Sequence, residues 1–213
     1  SIPIPEIPFE KGEGWLLDVG CNWGRWTISA AKKGYQAVGI DPSLGAVLAA
    51  TRVAKSMGVM GYFVCGDSRF LPFKKGVFSK AFSYSVLQHF SPHDAEISAK
   101  EMGRVLCPGG ISITQMPNCF GIRSLMHLLK RKFRKPSGFE VRYYTPSQLI
   151  GLFGRAIGNS SLFVDGFLGL GVQTTDFQLV SLKSKIVMSI SKVLKSIPFL
   201  KLLADSLYVQ SRR

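Results

Sequence analysis

Short apolar runs alternate with longer amphipathic segments over the first 116 residues of the chain. The amphipathic segments 26–33, 42–57 and 92–106 have the composition and spacing of helices. Strands that alternate with helices predict an α/β fold, in which helices cover both faces of a parallel sheet and the crossovers are right-handed. The predicted strands are Trp15–Val19, Gln36–Ile40, Tyr62–Cys65, Lys80–Tyr84 and, after the turn Pro108–Gly110, Ile111–Thr114.

The regular alternation ends after residue 116. Within 121–135, apolar side chains recur at helical spacing and predict one amphipathic helix, with a stripe made of Ile122, Leu125, Met126, Leu129 and Phe133. A helix capped by Thr145 is predicted over Pro146–Phe153. Residues 162–164 and 207–209 predict a sixth strand and a last, edge strand, and residues 184–206 a second amphipathic element. We therefore expect a single domain over 1–213, with a core of 14–116 and 146–213 and a cap or lid insertion at 117–145.

The composition narrows the class of protein. The 213 residues are 46% hydrophobic and 19% charged, which is too apolar for a disordered chain. No run of about 18 uncharged apolar residues predicts a membrane-spanning helix, and no secretory leader is visible. The four cysteines form no CxxC pair, which favours a reduced cytosolic protein over a disulfide scaffold or a zinc site.

The net charge of +14 is concentrated in two segments. Residues 123–142 hold seven Lys and Arg against one Glu, and residues 183–213 hold seven against one Asp, a net charge of +6 in each. Three interpretations stay open: a solvated face, a surface for anionic lipid headgroups, or a contact with the phosphate backbone of RNA. The lipid interpretation is favoured because each basic cluster adjoins an apolar stripe.

Three features lie where the predicted parallel strands end. Ligands of open α/β sheets bind beyond the carboxyl ends of the strands. The first strand runs into the turn Asp18-Val-Gly20-Cys-Asn22-Trp-Gly24, whose glycines permit close approach of a ligand to the backbone. Asp41 ends the second strand, where a carboxylate can accept hydrogen bonds from ribose hydroxyls, and Asp67 follows the third, where it can accept an adenine amino group. Together they predict a pocket for a nucleoside with a charged tail.

Two cofactors compete for such a pocket. A nicotinamide dinucleotide requires GxGxxG, whereas this turn has Gly20 and Gly24 with Asn22 between them and no third glycine. S-adenosylmethionine fits better, because its tail is a short amino acid and not a pyrophosphate.

With these residues in place, the chain resembles the class I S-adenosylmethionine-dependent methyltransferases of the small-molecule type. The resemblance spans about residues 14–153 and implies a Rossmann-like, seven-stranded, mostly parallel sheet with helices on both faces and a helical cap over the substrate pocket. The matching segments are Leu16–Gly24, Gly39–Asp41, Cys65–Asp67, Ser83–His89, Arg104–Gly110 and Tyr143–Leu149.

The resemblance also implies a set of cofactor-binding residues. Gly20 and Gly24 would line the methionine and ribose portions, and the segment Ser83–Ser85 would face the transferring methyl group. Asn22 departs from the glycine usual in the family, but Asn tolerates a positive φ well. The full predicted set is Asp18, Gly20, Cys21, Asn22, Trp23, Gly24, Asp41, Pro42, Gly66, Asp67, Ser68, Ser83, Tyr84 and Ser85.

His89 follows the fourth strand at the predicted pocket mouth. It is a candidate general base, because imidazole titrates near physiological pH, and the alternative is a packing or helix-capping role. The three histidines lack the spacing of metal ligands, so no metal is assigned.

The sequence thus predicts a methyltransferase that uses S-adenosyl-L-methionine and releases S-adenosyl-L-homocysteine. We expect a small-molecule acceptor, lipophilic or lipid-linked and of quinone or glycolipid type, and an anionic membrane surface as partner through 121–135 and 184–206. The expected location is cytoplasmic, peripheral at the inner face of a membrane. The alternatives are methylation of RNA, such as tRNA, and a non-enzymatic membrane- or partner-binding module on the same fold.

Overall fold

The computed structural model of the chain describes residues 4–166 and 203–213. Its strands are β1 (Trp15–Val19), β2 (Gln36–Asp41), β3 (Tyr62–Cys65), β4 (Phe78–Tyr84), β5 (Leu106–Pro117), β6 (Asn159–Gly166) and β7 (Ser206–Arg212). Its helices are α1 (Arg25–Lys32), α2 (Leu44–Ser56), α3 (Pro92–Val105), α4 (Ile122–Lys130) and α5 (Pro146–Ala156), with a short 3₁₀ turn at Leu87–His89. The amphipathic element predicted at 184–206 lies outside the described residues except for its last four positions.

In the described part of the chain the strands form one seven-stranded sheet in the order β3-β2-β1-β4-β5-β7-β6. β1 to β5 run parallel, whereas β7 pairs antiparallel with both β5 and β6, so the sheet is mostly parallel as predicted. The prediction that residues 207–209 form an edge strand is wrong, because β7 lies between β5 and β6. Its continuous apolar run Leu207-Tyr-Val209 is typical of a strand covered on both faces.

Apolar side chains of the sheet pack helices on both faces. Because strand residues alternate in direction, Leu207 and Val209 of β7 pack with α3 and α5, whereas Tyr208 packs with Trp26 of α1 on the opposite face. A third cluster joins β1 and β2 to Met102 and Val105 of α3. The helix-covered sheet fixes the carboxyl ends of β1, β2 and β4 next to each other.

The helix starts follow local capping chemistry. The Ser43 hydroxyl accepts from Ala46 N, so α2 begins after Ser43 and not at Pro42 as the sequence predicted. Ser91 caps α3 with Pro92 in its first turn, and Thr145 and Gln148 form a reciprocal capping box at α5. Gly24 at the start of α1 has no side chain and therefore provides no side-chain cap.

The predicted cap segment 117–145 contains one helix, α4, followed by an irregular return. α4 ends at Lys130, before the predicted limit of residue 135, and Lys132 and Phe133 beyond it both have positive φ. An isolated bridge between Asn118 and Tyr144 brings the two ends of the segment together. Over residues 4–166 and 203–213, no helix is long and apolar enough to cross a membrane.

Candidate cofactor and acceptor cavity

A cavity of about 830 Å³ opens at the carboxyl ends of β1, β2 and β4. This volume lies in the range of small-molecule binding sites. Most of the predicted site residues form its wall: Gly20, Cys21, Asn22, Trp23, Asp41, Pro42, Gly66, Asp67, Ser68, Tyr84, Ser85 and His89. Asp18, Gly24 and Ser83 do not line it.

The turn after β1 requires the residues found there. Gly20 has φ +75°, and a Cβ at this position would lie 2.2 Å from Cγ2 of Val86 on the facing wall. Asn22 adopts φ 47°, a left-handed conformation that Asn tolerates better than most other residues. Because Gly20 has no side chain, the turn can pass close to the opposite wall, and the backbone of the turn lines the cavity.

Asp41 is held by this turn and remains able to accept further hydrogen bonds. Its Oδ2 accepts from Asn22 N at 2.9 Å, and its Oδ1 accepts from Ser43 N at 2.9 Å. Each carboxylate oxygen has two lone pairs, so one on each oxygen is not used by these contacts. The side chain is thus fixed in position with capacity for a pair of hydroxyl donors.

Asp18 lies behind the cavity wall and is fully buried. Its Oδ2 accepts from the Thr27 hydroxyl at 2.7 Å, while Oδ1 has no hydrogen-bond partner among residues 4–166 and 203–213. Burial raises the pKa of Asp18 from 3.8 to about 7, and the Thr27 hydrogen bond partly opposes that shift. An unsatisfied buried oxygen of this kind marks a site where a bound polar group would be stabilising.

Asp67 is engaged by Arg69, which the sequence analysis did not single out. The guanidinium contacts Oδ2 of Asp67 at 2.6 Å and Asp94 at 3.2 Å. The hydrogen bonds from Arg69 hold the pKa of Asp67 below its usual range. Arg69 also lines the cavity, so the carboxylate expected to meet an adenine amino group is charge-neutralised and oriented by its neighbour.

Ser83 and Tyr84 illustrate strand alternation at the end of β4. Ser83 is fully buried and donates to Val19 O at 3.1 Å, so it stabilises the sheet away from the cavity. Tyr84 is on the wall, with its ring 5.0 Å from that of Trp26, and the Arg25 guanidinium lies 5.4 Å from both rings. Ser85 then turns with φ 61°, a conformation that costs a non-glycine residue about 1 kcal/mol or more.

His89 stacks against Phe139 at the mouth of the cavity. The ring centroids are 4.2 Å apart with an interplanar angle of 1°, and Nδ1 lies 2.9 Å from Phe139 O. Because a carbonyl only accepts, Nδ1 carries the proton in this contact and Nε2 of the neutral ring is the acceptor. The Gln88 amide nitrogen, which donates to Ser85 Oγ at 2.8 Å, lies 3.3 Å from that Nε2.

Sequence reasoning missed several residues of the wall: Arg25, Trp26, Arg69, Val86, Phe90 and Phe139. Arg69 follows Asp67 by two positions, so a local carboxylate–guanidinium pair was a usable signal. Phe139 comes from the irregular segment 50 residues after His89, where no periodicity indicates its position. The bridge between Asn118 and Tyr144 and the hydrogen bond from Arg142 N to Gln88 O bring it there.

The cavity fits the group that the sequence predicted for it. Gly20 presents its backbone on the cavity wall without a side chain, and Asp41 retains unused acceptor positions. The N-terminus of α1, which Gly24 does not cap with a side chain, favours a carboxylate nearby. These features match a nucleoside that carries a short zwitterionic tail.

The chain is similar to known proteins in sequence. Residues 16–110 match the family model described as methyltransferase domain. An uncharacterized protein of Methanocaldococcus jannaschii is 33% identical over 128 residues, covering 59% of this chain and 46% of the relative. An uncharacterized methyltransferase of Synechocystis sp. is 29% identical over 111 residues, covering 52% and 50%. The chain thus spans about half the length of these curated relatives.

The fold is also similar to solved structures. The crystal structure of a SAM-dependent methyltransferase from Methanosarcina mazei superposes with a TM-score of 0.65 at 18% identity, covering 99% of each chain. This likeness confirms the predicted fold class: a Rossmann-like seven-stranded sheet with flanking helices.

Proposed function

We propose that this chain, whose residues 16–110 match the methyltransferase domain model, is a class I S-adenosylmethionine-dependent methyltransferase that methylates a small lipophilic acceptor of quinone or glycolipid type. The match to the methyltransferase domain model supports the resemblance and, with it, the cofactor predicted from the sequence. The observation that carries the proposal is one cavity in which the glycine turn and Asp41 face a mouth of aromatic rings.

The cofactor-binding roles follow from the donors and acceptors of the wall. Asp41, already held by two backbone N–H groups, offers its remaining lone pairs to the ribose hydroxyls. Asp67 would lie beside the adenine, with both of its oxygens already accepting from Arg69. Asp18 lies behind the wall and acts indirectly, because its hydrogen bond with the Thr27 hydroxyl ties the β1 turn to α1.

When bound, S-adenosylmethionine supplies an electrophilic methyl group on a positively charged sulfur. The protein's task is then alignment and exclusion of water, because a reacting pair held at about 3–3.5 Å needs little further activation. Trp23, Trp26, Tyr84, Phe90 and Phe139 line the cavity, and an acceptor bound against these rings would displace water from it. Aromatic rings also favour a nearby cation through their negative faces.

His89 is the proposed group for removing a proton from the acceptor. Its Nδ1 proton is directed at Phe139 O, which fixes Nε2 as the basic atom. Gln88 now donates toward Nε2, so an acceptor hydroxyl would replace that contact when it enters. An acceptor that is already ionised would not need this step.

The aromatic mouth supports a lipophilic acceptor. Phe139 is 78% exposed although it stacks on His89, and Phe90 lines the same mouth. An apolar, partly planar acceptor would bury these rings, which is favourable at about 25 cal/mol per Å² of apolar surface.

The direct test is a transfer assay with labelled S-adenosylmethionine and a panel of acceptors. We expect methylation of long-chain hydroquinones or phenolic glycolipids, with the water-soluble head groups alone being poor substrates because they bury less of the aromatic mouth. Bulk tRNA is the comparison arm. Methylation of tRNA with no transfer to any lipophilic acceptor would contradict the proposal, and so would failure of the protein to bind S-adenosylhomocysteine.

A further inference from the structure

The helix α4 presents its apolar face to solvent. Ile122, Leu125, Met126 and Leu129 lie along one side and are between 45% and 56% exposed. Ser124 is the one residue of this helix that is buried. Contiguous exposed apolar side chains of this size are unusual on a protein surface and mark a binding surface.

Two phenylalanines extend this face beyond the ends of the helix. Phe120 precedes α4 and is 52% exposed, and Phe133 follows it and is 61% exposed. Phe133 has φ 54° and follows Lys132 at φ 51°, two consecutive non-glycine residues in the left-handed region. The backbone therefore bears strain here while the Phe133 ring is left largely outside the core. We call Phe120, Ile122, Leu125, Met126, Leu129 and Phe133 the α4 surface.

Basic residues border the α4 surface. Lys130, Lys132 and Lys135 are exposed. The only acidic residue between 123 and 142 is Glu140, which pairs with Arg134 at 2.6 Å. An apolar strip with a positively charged border is complementary to an anionic lipid surface, in which headgroup phosphates overlie the acyl chains.

The α4 surface is fixed to the body of the protein. Oδ1 of the buried Asp205 accepts from Arg123 N at 2.7 Å and from Ser124 N at 3.2 Å. Asp205 therefore caps the start of α4, although it lies more than 80 residues later in the chain. Asn118 Nδ2 donates to Ala204 O at 2.8 Å and ties the preceding turn to the same place. The apolar face is thus held outward by specific contacts.

The same chain segment returns from α4 to the cavity mouth. Phe139 stacks on His89, Arg142 N donates to Gln88 O at 2.9 Å, and the Arg142 guanidinium donates to His89 O at 2.7 Å. Contact at the α4 surface would therefore bring the mouth next to whatever the surface binds.

We infer that the α4 surface docks the protein on an anionic lipid bilayer, with its apolar side chains in the acyl boundary and Lys130, Lys132 and Lys135 among the headgroups. The link to catalysis rests on the proposed function, because a bilayer is the source of a lipophilic acceptor for the adjoining mouth. The aliphatic character of α4 favours lipid over RNA, whose bases are bound by stacking rings and hydrogen-bond donors.

The test is co-sedimentation of the full chain with phosphatidylcholine vesicles, with and without about 30% phosphatidylglycerol. We expect binding to the anionic vesicles alone, weakened by salt, and reduced about tenfold or more in the variant Leu125→Gln/Leu129→Gln. The matched control is Leu44→Gln/Leu48→Gln, since these leucines of α2 are spaced identically and are 60% and 47% exposed. That control should bind vesicles like the unmodified protein.

Three results would overturn the inference: no binding of the unmodified protein to anionic vesicles, equal loss in both double variants, or preferential binding of RNA in a gel-shift competition. Folding of each variant is checked by its thermal midpoint, and Lys132→Glu/Lys135→Glu gives a second test that leaves the apolar residues unchanged. Calorimetry with S-adenosylhomocysteine separates the two proposals. If a variant loses vesicle binding but keeps normal affinity for S-adenosylhomocysteine, the substitution affects docking alone. If the unmodified protein does not bind S-adenosylhomocysteine, the proposed function is overturned.

Discussion

The two sides of the cavity are built in different ways. The side formed by the β1 turn and Asp41 consists of backbone and short side chains tied to one another, as in the contacts of Asp41 with Asn22, 19 residues earlier, and with Ser43, two residues later. The mouth formed by His89 and Phe139 joins segments 50 residues apart through a stacked pair of rings. The side of the β1 turn and Asp41 is preorganised for one ligand, whereas the residues of the mouth can differ between proteins that bind different acceptors.

The largest expected effect comes from Asp41→Ala. Two ribose hydroxyls would lose charged hydrogen bonds worth roughly 2 kcal/mol each, and the Asn22 and Ser43 amides would lose their acceptor. We expect affinity for S-adenosylhomocysteine to fall about 1000-fold in calorimetry.

The matched control is Glu140→Ala, which removes a carboxylate from the segment of the mouth and should leave that affinity unchanged. An Asp41→Ala variant that binds like the unmodified protein would remove the site assignment. Equal losses in the two variants would instead show that the two sides of the cavity are not separable.

The side formed by the β1 turn was the more predictable from sequence, for physical reasons. A glycine turn after a buried strand and an acidic residue ending the next strand are local signals, and parallel strands bring them to one edge. Local signals did not indicate which side chain at the end of a strand faces the cavity. Ser83 was among the predicted cofactor-binding residues, but its hydroxyl bonds Val19 O within the sheet, whereas Tyr84 faces the cavity. Similarly, the buried Asp18 bonds Thr27 behind the wall.

The mouth was less predictable because its contacts depend on tertiary structure. The pattern at 121–135 predicted the helical stripe correctly for Ile122 to Leu129 and wrongly for Phe133, which lies beyond α4, and periodicity does not indicate whether such a stripe faces a core or solvent. Here the stripe is exposed. The position of Phe139 depends on the Arg142–Gln88 hydrogen bond and the Asn118–Tyr144 bridge, neither of which has a sequence signal.

A second difference between the two sides is that Asp18, behind the β1 turn, is fully buried. The variant Asp18→Asn tests the effect of this burial on the pH dependence of stability. The pKa of Asp18 is raised from 3.8 to about 7, so between these values the folded protein keeps a proton that the unfolded chain has released. Stability therefore falls as pH rises through this window, by an amount on the order of 4 kcal/mol, and levels off above it. Urea unfolding across the window should show this fall in the unmodified protein relative to Asp18→Asn.

Asp94→Asn is the control of opposite sign. The Ser91 hydroxyl and Arg69 lower the pKa of Asp94, so its contribution to stability is lost as pH falls. If the new amide of Asp18→Asn changes the free energy of unfolding by a constant amount at every pH, the slope of that free energy against pH is unaffected. If the unmodified protein and Asp18→Asn lose stability in parallel, the buried carboxyl titrates normally and the explanation by burial is wrong.

The smallest effect, and the one that tests the mouth alone, is expected for His89→Ala. Loss of a general base lowers turnover by about 100-fold, and the affinity for S-adenosylhomocysteine should change little, because the contacts of Asp41 are on the other side of the cavity. Phe139→Ala serves as the control for packing, since it removes the stacked ring and leaves the imidazole in place. Added imidazole should restore part of the turnover of His89→Ala and none of any loss in Phe139→Ala. Normal turnover in His89→Ala would assign the histidine to packing of the mouth, and the acceptor would then have to enter already ionised.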